Sequence, residues 1–196
     1  GRGCVICAFG LPEALRGVRQ EEGAILSGLG RSFWVFPFSD HAPTVLFSYQ
    51  TNDVDAERAR AKEIGPAQRL REVYGPEPLG TLMDTAIKHL EATDEFLFDS
   101  VEQVKVDHWH EGRVVLLGDA AWCPTLYSGM GATSSLAGAD ALGLMLEKHP
   151  GDVEAALEAW EEGLRPAITD FQAAAFPMRE LFTQTTAAGI RKQNRT

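Results

Sequence analysis

Two short glycine-containing motifs near the middle of the sequence are the features best suited to binding chemistry. The first is Gly118-Asp119, which directly follows the segment 113–117, made of Arg113 and four apolar residues. An uninterrupted apolar segment of this length predicts a strand buried on both faces, as in a parallel α/β sheet. Ligands of such sheets gather at the carboxyl ends of the strands. Asp119 is therefore predicted to lie where a polar ligand binds.

The second motif is Gly129-Met130-Gly131, which opens a helical pattern that continues to Lys148. Two glycines at a helix start leave backbone N–H groups open to a ligand, and the helix dipole there favours negative charge. The plain structural alternative is a tight turn between strand and helix in which Asp119 caps a backbone amide. Small residues along the helix predict close packing against a sheet or a planar ligand: Ala132, Ala137, Gly138, Ala139, Ala141 and Gly143.

The first half of the chain supplies strands to hold these motifs. Residues 1–50 alternate short apolar segments with Gly, Pro, Ser and Asp turns, a pattern typical of an antiparallel sheet. Gly28-Leu29-Gly30-Arg31 has no third glycine and precedes a strand pattern, so we interpret it as a turn. Residues 95–106 are predicted to be extended and to lead to a turn at Glu111-Gly112.

Helices are predicted between and after these strands. Residues 53–74 and 79–92 have helical spacing of apolar positions, with a break at Pro76 and Pro78. Asp152 is a predicted N-cap for a helix toward Leu164, which Pro166 should kink or end.

Composition narrows the function classes. The chain has 196 residues, 44% of them hydrophobic, and a net charge of −10. The charge disfavours nucleic acid and membrane surfaces as partners, and a cytoplasmic location is expected. Cys4, Cys7 and Cys123 are an odd set that suits a reducing compartment, and Cys4 and Cys7 are interpreted as small core residues of a strand. We expect no metal site.

No side chain is predicted to act as a catalyst. The histidines are scattered, and no serine stands in a G-x-S-x-G motif. Asp99 and Glu102 are expected on different faces of an extended segment. The aromatic residues Trp34, Phe36 and Phe38 are predicted either as core or as the lining of an aromatic pocket.

Residues 112–143, with 98–104, resemble the C-terminal flavin motif of the para-hydroxybenzoate hydroxylase family of FAD-dependent monooxygenases. The family pattern is an apolar strand, Gly-Asp-Ala-Ala, a proline-containing loop, and Gly-x-Gly opening an Ala-rich helix with Asp-Ala near its middle. The matching residues are Gly118-Asp119-Ala120-Ala121, Pro124, Gly129-Met130-Gly131 and Asp140-Ala141. Residues 159–166 resemble the family's later helix ending in Arg-Pro.

The resemblance implies a role for each matched residue. Asp119 would hydrogen-bond the ribityl or pyrophosphate part of FAD, with Gly118 and Ala120 shaping its approach and Pro124 in the connecting loop. The helix start would face the isoalloxazine ring and stabilise negative charge on it. The residues concerned are Gly129, Met130, Gly131 and Ala132.

The resemblance also implies the reaction. In this family NADPH or NADH reduces the flavin, oxygen adds to give a C4a-hydroperoxide, and an aromatic or polyketide-like substrate is hydroxylated. The cofactor performs the hard step, so no protein nucleophile is needed. Trp34, Phe36 and Phe38 would lie on the sheet that covers the substrate.

The expected fold is therefore an α+β and α/β fragment of the flavin monooxygenase fold. Residues 1–107 would form the substrate-covering sheet domain with helices, and 108–196 the C-terminal part of the FAD domain. The family's N-terminal G-x-G-x-x-G unit is absent from the sequence, which begins with Gly1 rather than Met. We therefore expect a fragment, inactive alone, whose site an N-terminal half or another chain completes.

Two positions depart from the family pattern, and two alternatives stay open. Leu126 stands where many relatives have proline, and Trp122 stands where His or Tyr is common. The placement of the isoalloxazine ring is therefore the detail that the resemblance determines least. One alternative is a catalytically inactive remnant or interaction module of the same fold. Another is a flavin-dependent halogenase or reductase, because these enzymes share the fold.

Overall fold

The computed structural model describes residues 3–19, 21–75 and 78–193. These residues form two compact units, one made of 3–101 with 180–193 and the other of 102–179. The units do not coincide with the predicted domains 1–107 and 108–196, because the end of the chain returns to the first unit. Each unit is described by itself below.

The first unit is built on a five-stranded antiparallel sheet in the order β2-β3-β4-β1-β5. This confirms the antiparallel sheet predicted for the first half of the sequence. The turn between β2 and β3 contains Gly30 with a φ of 67°, so Gly28–Arg31 is a turn as predicted. The strands are β1 (Gly3–Gly10), β2 (Ala24–Gly28), β3 (Arg31–Phe36), β4 (Thr44–Thr51) and β5 (Leu97–Ser100).

Three helices follow β4, where two were predicted. They are α1 (Val54–Ile64), α2 (Pro66–Tyr74) and α3 (Gly80–Leu90). The extra break lies at Gly65, which has a φ of 86°, a value that residues other than glycine rarely adopt. Pro66 begins the next helix, where its missing backbone N–H costs no helical hydrogen bond. Pro76, one of the predicted breakers, lies outside the described residues.

The helices cover one face of the sheet and form the core of the first unit. Phe33, Phe47 and Cys7 from adjacent strands are fully buried there against Leu70 and Ile87. At the centre, the buried Tyr74 hydroxyl lies 2.6 Å from the carbonyl oxygen of Ser32 and 2.9 Å from that of Ser48. Two neighbouring strands are thus tied to α2 through one side chain.

The second unit begins with a small hairpin rather than a buried parallel strand. Strands β6 (His110–Glu111) and β7 (Val114–Val115) pair antiparallel around a turn at Gly112, whose φ is 56°. The predicted buried strand over 113–117 is wrong in this structure. Val114 is 71% exposed, and Leu116 and Leu117 are exposed as well, because no described strand other than β6 pairs with this segment.

The remaining elements of the second unit are helical. The single turn α4 (Asp119–Trp122), a short 3-10 turn (Leu126–Ser128) and α5 (Gly131–Lys148) follow in order. The long helix α6 (Val153–Phe182) leads back to the first unit, where α7 (Ala187–Gln193) lies.

Helix α6 bears on two predictions made for this part of the chain. The side chain of Asp152 accepts the N–H of Ala155 at 3.1 Å, which is the predicted N-cap. The helix continues past Pro166, so of the two predicted effects of this proline, a kink or an end, the end does not occur. Proline removes the backbone hydrogen bond to the carbonyl of Glu162, four residues earlier, and because Glu162 is exposed, water can reach that carbonyl.

Three tryptophans form the core of the second unit. The ring centroids of Trp109 and Trp122 are 4.6 Å apart, and that of Trp160 lies 5.7 and 5.8 Å from them. Trp160 donates its indole N–H to the carbonyl of Gly138 at 2.8 Å, and Trp122 donates to Ser134 at 3.2 Å. These contacts fix the start of α5 relative to α4, the two elements that carry the glycine motifs.

Candidate cofactor-binding site

Gly118 brings the chain into α4 by a conformation that suits glycine alone. Its φ is 62° and its ψ is −136°, and its carbonyl oxygen accepts the N–H groups of Ala121 and Trp122 at 3.0 and 2.9 Å. A side-chain carbon at this position would stand 2.8 Å from the hydroxyl of Ser135 on α5. The glycine therefore permits both the turn and the close approach of loop and helix.

The loop between α4 and α5 is held by its own polar groups. The Thr125 hydroxyl accepts the N–H of Tyr127 at 3.2 Å, and Ser128 donates to the Thr125 carbonyl at 3.0 Å. Thr125 has a φ of 79° and a ψ of 158°, a conformation that costs a non-glycine residue about 1–3 kcal/mol. Pro124 is fully buried beneath the loop. A residue kept in such a conformation shows that the loop is held in place by its surroundings.

The start of α5 presents backbone N–H groups to an open surface. The first bond of the helix runs from the N–H of Ser134 to the carbonyl of Met130 at 2.8 Å. The N–H groups of Gly131, Ala132 and Thr133 precede it and have no carbonyl to bond within the helix, and no described side chain caps this end. A side-chain carbon at Gly129 would have no neighbouring atom within 4 Å, so the space beside this residue is open.

Asp119 lies next to these N–H groups. Its Oδ1 atom is 3.8 Å from the position that a side-chain carbon on Gly131 would occupy. Asp119, Ala120, Gly129 and Ala132 are all exposed. The structure thus brings a carboxylate, which accepts hydrogen bonds, beside amides that donate them and beside the positive end of a helix dipole. Such a site can hold a ligand with hydroxyls at one end and a carbonyl or anionic edge at the other.

The predicted residues divide by exposure. Gly118 and Pro124 are buried, so they shape the loop and do not offer side chains to a ligand. The remaining six residues predicted to bind the cofactor are exposed or half-buried, and their role in binding stays a prediction: Asp119, Ala120, Gly129, Met130, Gly131 and Ala132.

Sequence reasoning missed the polar residues that support this region. Ser134 and Ser135 both donate to the carbonyl of Gly131, at 3.0 and 2.8 Å, and Ser134 also accepts the indole N–H of Trp122. A hydroxyl three or four residues after a helix start is the signal that could have found them, because it can bond back to the first turn. Cys123 lies near Asp119, and burial and that carboxylate raise the pKa of its thiol.

Two of the three predicted substrate residues come together in the first unit. Trp34 and Phe36 lie on the sheet face opposite the helices, with ring centroids 5.9 Å apart, and Trp34 also stacks on Phe182 at 4.6 Å. Phe38 lies beyond the end of β3, is 38% exposed and stacks on His41 at 4.1 Å.

No family model matches the sequence. The FAD-dependent monooxygenase asL6 of Sarocladium schorii is 49% identical over 86 residues, which are 44% of this chain and 20% of that protein. A flavin-dependent monooxygenase from an unknown prokaryotic organism is 30% identical over 203 residues, covering 91% of this chain and 52% of the relative. The chain is a homologue of flavin-dependent monooxygenases. The resemblance predicted from the Gly-Asp and Gly-x-Gly motifs is thereby confirmed.

Solved structures show that the fold is that of flavin monooxygenases. The tetracycline destructase Tet(55) matches with a TM-score of 0.78 and 23% identity over 98% of this chain and 50% of its own. A Klebsiella pneumoniae HpxO variant complexed with FAD matches with a TM-score of 0.68 and 19% identity, covering 99% and 50%. This flavin-dependent monooxygenase homologue thus spans about half the length of the proteins that it matches. Within its described residues, no helix is long and apolar enough to cross a membrane.

Proposed function

We propose that this chain supplies part of an FAD site in a monooxygenase that uses NADPH or NADH to hydroxylate an aromatic or polyketide-like substrate. The observation that carries the proposal is the exposed carboxylate of Asp119 beside the N–H groups at the start of α5. Homology to proteins named as FAD-dependent monooxygenases supports the choice of cofactor.

The residues present fit the ring and ribityl end of a flavin. Asp119 would accept hydrogen bonds from ribityl hydroxyls, and the N–H groups of Gly131, Ala132 and Thr133 would donate to the polar edge of the ring. Gly129 leaves room for the ring, because a side-chain carbon there would meet nothing within 4 Å. When bound, the flavin supplies the redox chemistry and the reaction with oxygen.

The protein's own contribution would be electrostatic and positional. The dipole of α5 and the N–H groups at its start would stabilise negative charge on the polar edge of a bound flavin. The tryptophan core holds the start of α5 and the loop of Asp119 in one rigid arrangement. No side chain of this region need form a covalent bond with substrate.

Titration of the purified chain with riboflavin, FAD and ADP tests the proposal. We expect riboflavin and FAD to bind, seen as a change in flavin fluorescence, and ADP to bind far more weakly, because the described site suits the ring end of the cofactor. Failure of riboflavin and FAD to bind this chain, both alone and mixed with an N-terminal half that carries the G-x-G-x-x-G unit, would contradict the proposal and favour a remnant or interaction module of the fold.

A further inference from the structure

A cavity of about 380 Å³ lies at one end of the sheet in the first unit. It is bordered by the turn between β2 and β3, by the end of β4 and by the end of α2. Its wall is mainly polar and includes Arg31, Gln50, Thr51 and Asn52. A polar cavity of this size can hold a small hydrophilic molecule.

Arg31 places a positive charge in this wall. Its Nη1 atom donates to the carbonyl of Val73 near the end of α2, and its guanidinium carbon lies 5.7 Å from the centre of the Tyr74 ring. Among the described residues, this is the one hydrogen bond of its side chain, and no carboxylate pairs with it. The side chain is half-buried. Because a guanidinium carries five N–H donors, most of them remain available to a ligand.

An acidic residue that contacts the wall is already neutralised. Glu57 accepts hydrogen bonds from the hydroxyls of Tyr49 and Thr51, which both line the cavity, at 3.0 and 3.3 Å. Each of its two carboxylate oxygens also accepts an N–H group of Arg69 at 2.8 Å. Because Arg69 compensates the charge of Glu57, the charge of Arg31 in the wall stays uncompensated.

An unsatisfied acceptor borders the same cavity. The Oε1 atom of Gln50 is buried and has no hydrogen-bond partner among the described residues. Its Nε2 atom donates to the carbonyl of Thr183 at 3.3 Å, which fixes the orientation of the amide. A side-chain carbon on Gly30 would find no atom outside residues 29–31 nearer than 3.9 Å, and Oε1 is at that distance. A donor can therefore approach Oε1 from the open space beside Gly30.

We propose that this cavity binds a small hydroxy-carboxylate, with the carboxylate on the guanidinium of Arg31 and the hydroxyl on Oε1 of Gln50. The planar guanidinium offers parallel N–H groups that match the two oxygens of a carboxylate. Buried polar atoms normally have a partner, and the ligand hydroxyl supplies the donor that Gln50 lacks. Binding there does not depend on the proposed flavin site, whose residues belong to the second unit.

Titration of the full, isotope-labelled chain with malate, followed by NMR at low ionic strength, tests the proposal. We expect malate to bind with a Kd of about 1 mM and to shift the Nε–H signal of Arg31 and the amide signals of Gly30 and Gln50. Succinate, which lacks only the hydroxyl, should bind about fivefold more weakly. Absence of malate binding, shifts confined to other regions, or succinate binding as tight as that of malate would overturn the proposal.

Substitutions at Arg31 separate ligand binding from the contact with α2. We expect Arg31→Gln to weaken malate binding about tenfold or more, and Arg31→Lys about fivefold, because lysine keeps the charge but not the paired N–H groups. Arg16→Gln removes the same charge at an exposed position and should leave the affinity unchanged. Thermal unfolding identifies the folded variants. Unchanged malate affinity in folded Arg31→Gln would contradict the assigned site.

A negative charge added to the wall tests the site while Arg31 stays intact. Asn52 is exposed and lines the cavity, so Asn52→Asp keeps its shape and should weaken malate binding about threefold to fivefold through repulsion. Gln68→Glu adds the same charge at an exposed position on α2 outside the wall and should have a much smaller effect. Equal effects of the two variants would show that net charge governs binding, and would overturn the assignment to this cavity.

Discussion

The Nδ1 atom of His110 lies 2.9 Å from Oε2 of Glu161, which also accepts the backbone N–H of Trp109 at 2.8 Å. The other carboxylate oxygen accepts a hydrogen bond from Arg165, whose guanidinium stands 4.4 Å from the Trp109 ring and donates to the Asp107 carbonyl at 2.7 Å. Glu161 is buried. One carboxylate therefore joins α6 to the hairpin that precedes the glycine motifs.

The pKa of Glu161 predicts how this contact responds to acid. Burial alone raises that pKa, but hydrogen bonds from Arg165, Trp109 and His110 outweigh burial, so the pKa is lowered from its ordinary value of 4.5. A carboxyl group whose pKa is depressed by folding stabilises the folded state above its unfolded pKa, and this contribution is lost as the pH falls through the folded value. The stabilising effect of Glu161 should therefore be complete at pH 6–7 and fade below about pH 4.5.

Urea unfolding of Glu161→Gln, followed by tryptophan fluorescence, measures this contribution. At pH 7 we expect the variant to be less stable by about 1–3 kcal/mol, because buried donors lose a charged acceptor. The difference from the unaltered chain should shrink toward pH 3. Glu162→Gln, at the exposed neighbouring position, is the matched control. A difference that is constant with pH would show that the ionised carboxylate is not what stabilises the unit.

Close packing of α5 predicts opposite effects for two glycines of that helix. A side-chain carbon at Gly138 would stand 2.8 and 2.9 Å from ring atoms of Trp122, whereas one at Gly143 would meet nothing within 4 Å. Gly138→Ala should therefore destabilise the chain by about 1–3 kcal/mol through overpacking. Gly143→Ala should stabilise it by about 0.5–1 kcal/mol, because alanine favours a helix. Thermal unfolding of both variants checks the pair, and equal effects would show that Gly138 does not pack against the tryptophan.

The variant Asp119→Ala tests whether the Asp119 carboxylate contributes to flavin binding, separately from any effect on folding. Because Asp119 is exposed, the variant should unfold at nearly the same temperature as the unaltered chain. Its riboflavin and FAD affinities should fall about tenfold or more, as expected for loss of a hydrogen bond to a charged group. Asp170→Ala removes the same charge from an exposed position on α6 and should leave affinity unchanged. If Asp119→Ala bound flavin as tightly as the unaltered chain, the role assigned to Asp119 in flavin binding would be contradicted.

The cysteines should differ sharply in reactivity. Cys4 and Cys7 are buried in β1, and burial raises the pKa of the Cys7 thiol to about 12. Cys123 is only partly buried. Mass spectrometry after brief treatment with iodoacetamide at pH 7.5 should therefore find Cys123 modified first, with Cys4 and Cys7 protected until urea unfolds the chain. Prompt labelling of Cys7 in the folded chain would contradict its placement in the core.

Local patterns in the sequence were sufficient for several elements. The apolar segment around Cys4 and Cys7 forms β1, the Gly-x-Gly motif opens α5, and Asp152 caps α6. Each of these depends on neighbours within a few residues, where side-chain chemistry directly limits the backbone. The split at Gly65 also had a local signal, since glycine followed by proline is typical of one helix ending and another beginning.

The segment 113–117 shows where local patterns fail. Its apolar residues are compatible with a strand that is buried on both faces, but burial depends on which other segments pair with it. Among the described residues, only the two residues of β6 pair with this segment. Pro166 is a similar case, because the cost of a proline in a helix depends on whether solvent reaches the freed carbonyl.

The sequence by itself determined the family and the motifs, because the glycines, the aspartate and the helix start are contiguous and carry their chemistry locally. Only the tertiary structure decided which of these residues face open space: it buries Pro124 and exposes Asp119. Exposure and charge environment depend on contacts between residues far apart in the chain, such as Gly138 with Trp160 and Ser32 with Phe182. Such contacts follow from packing of the whole chain, which no short stretch of residues specifies.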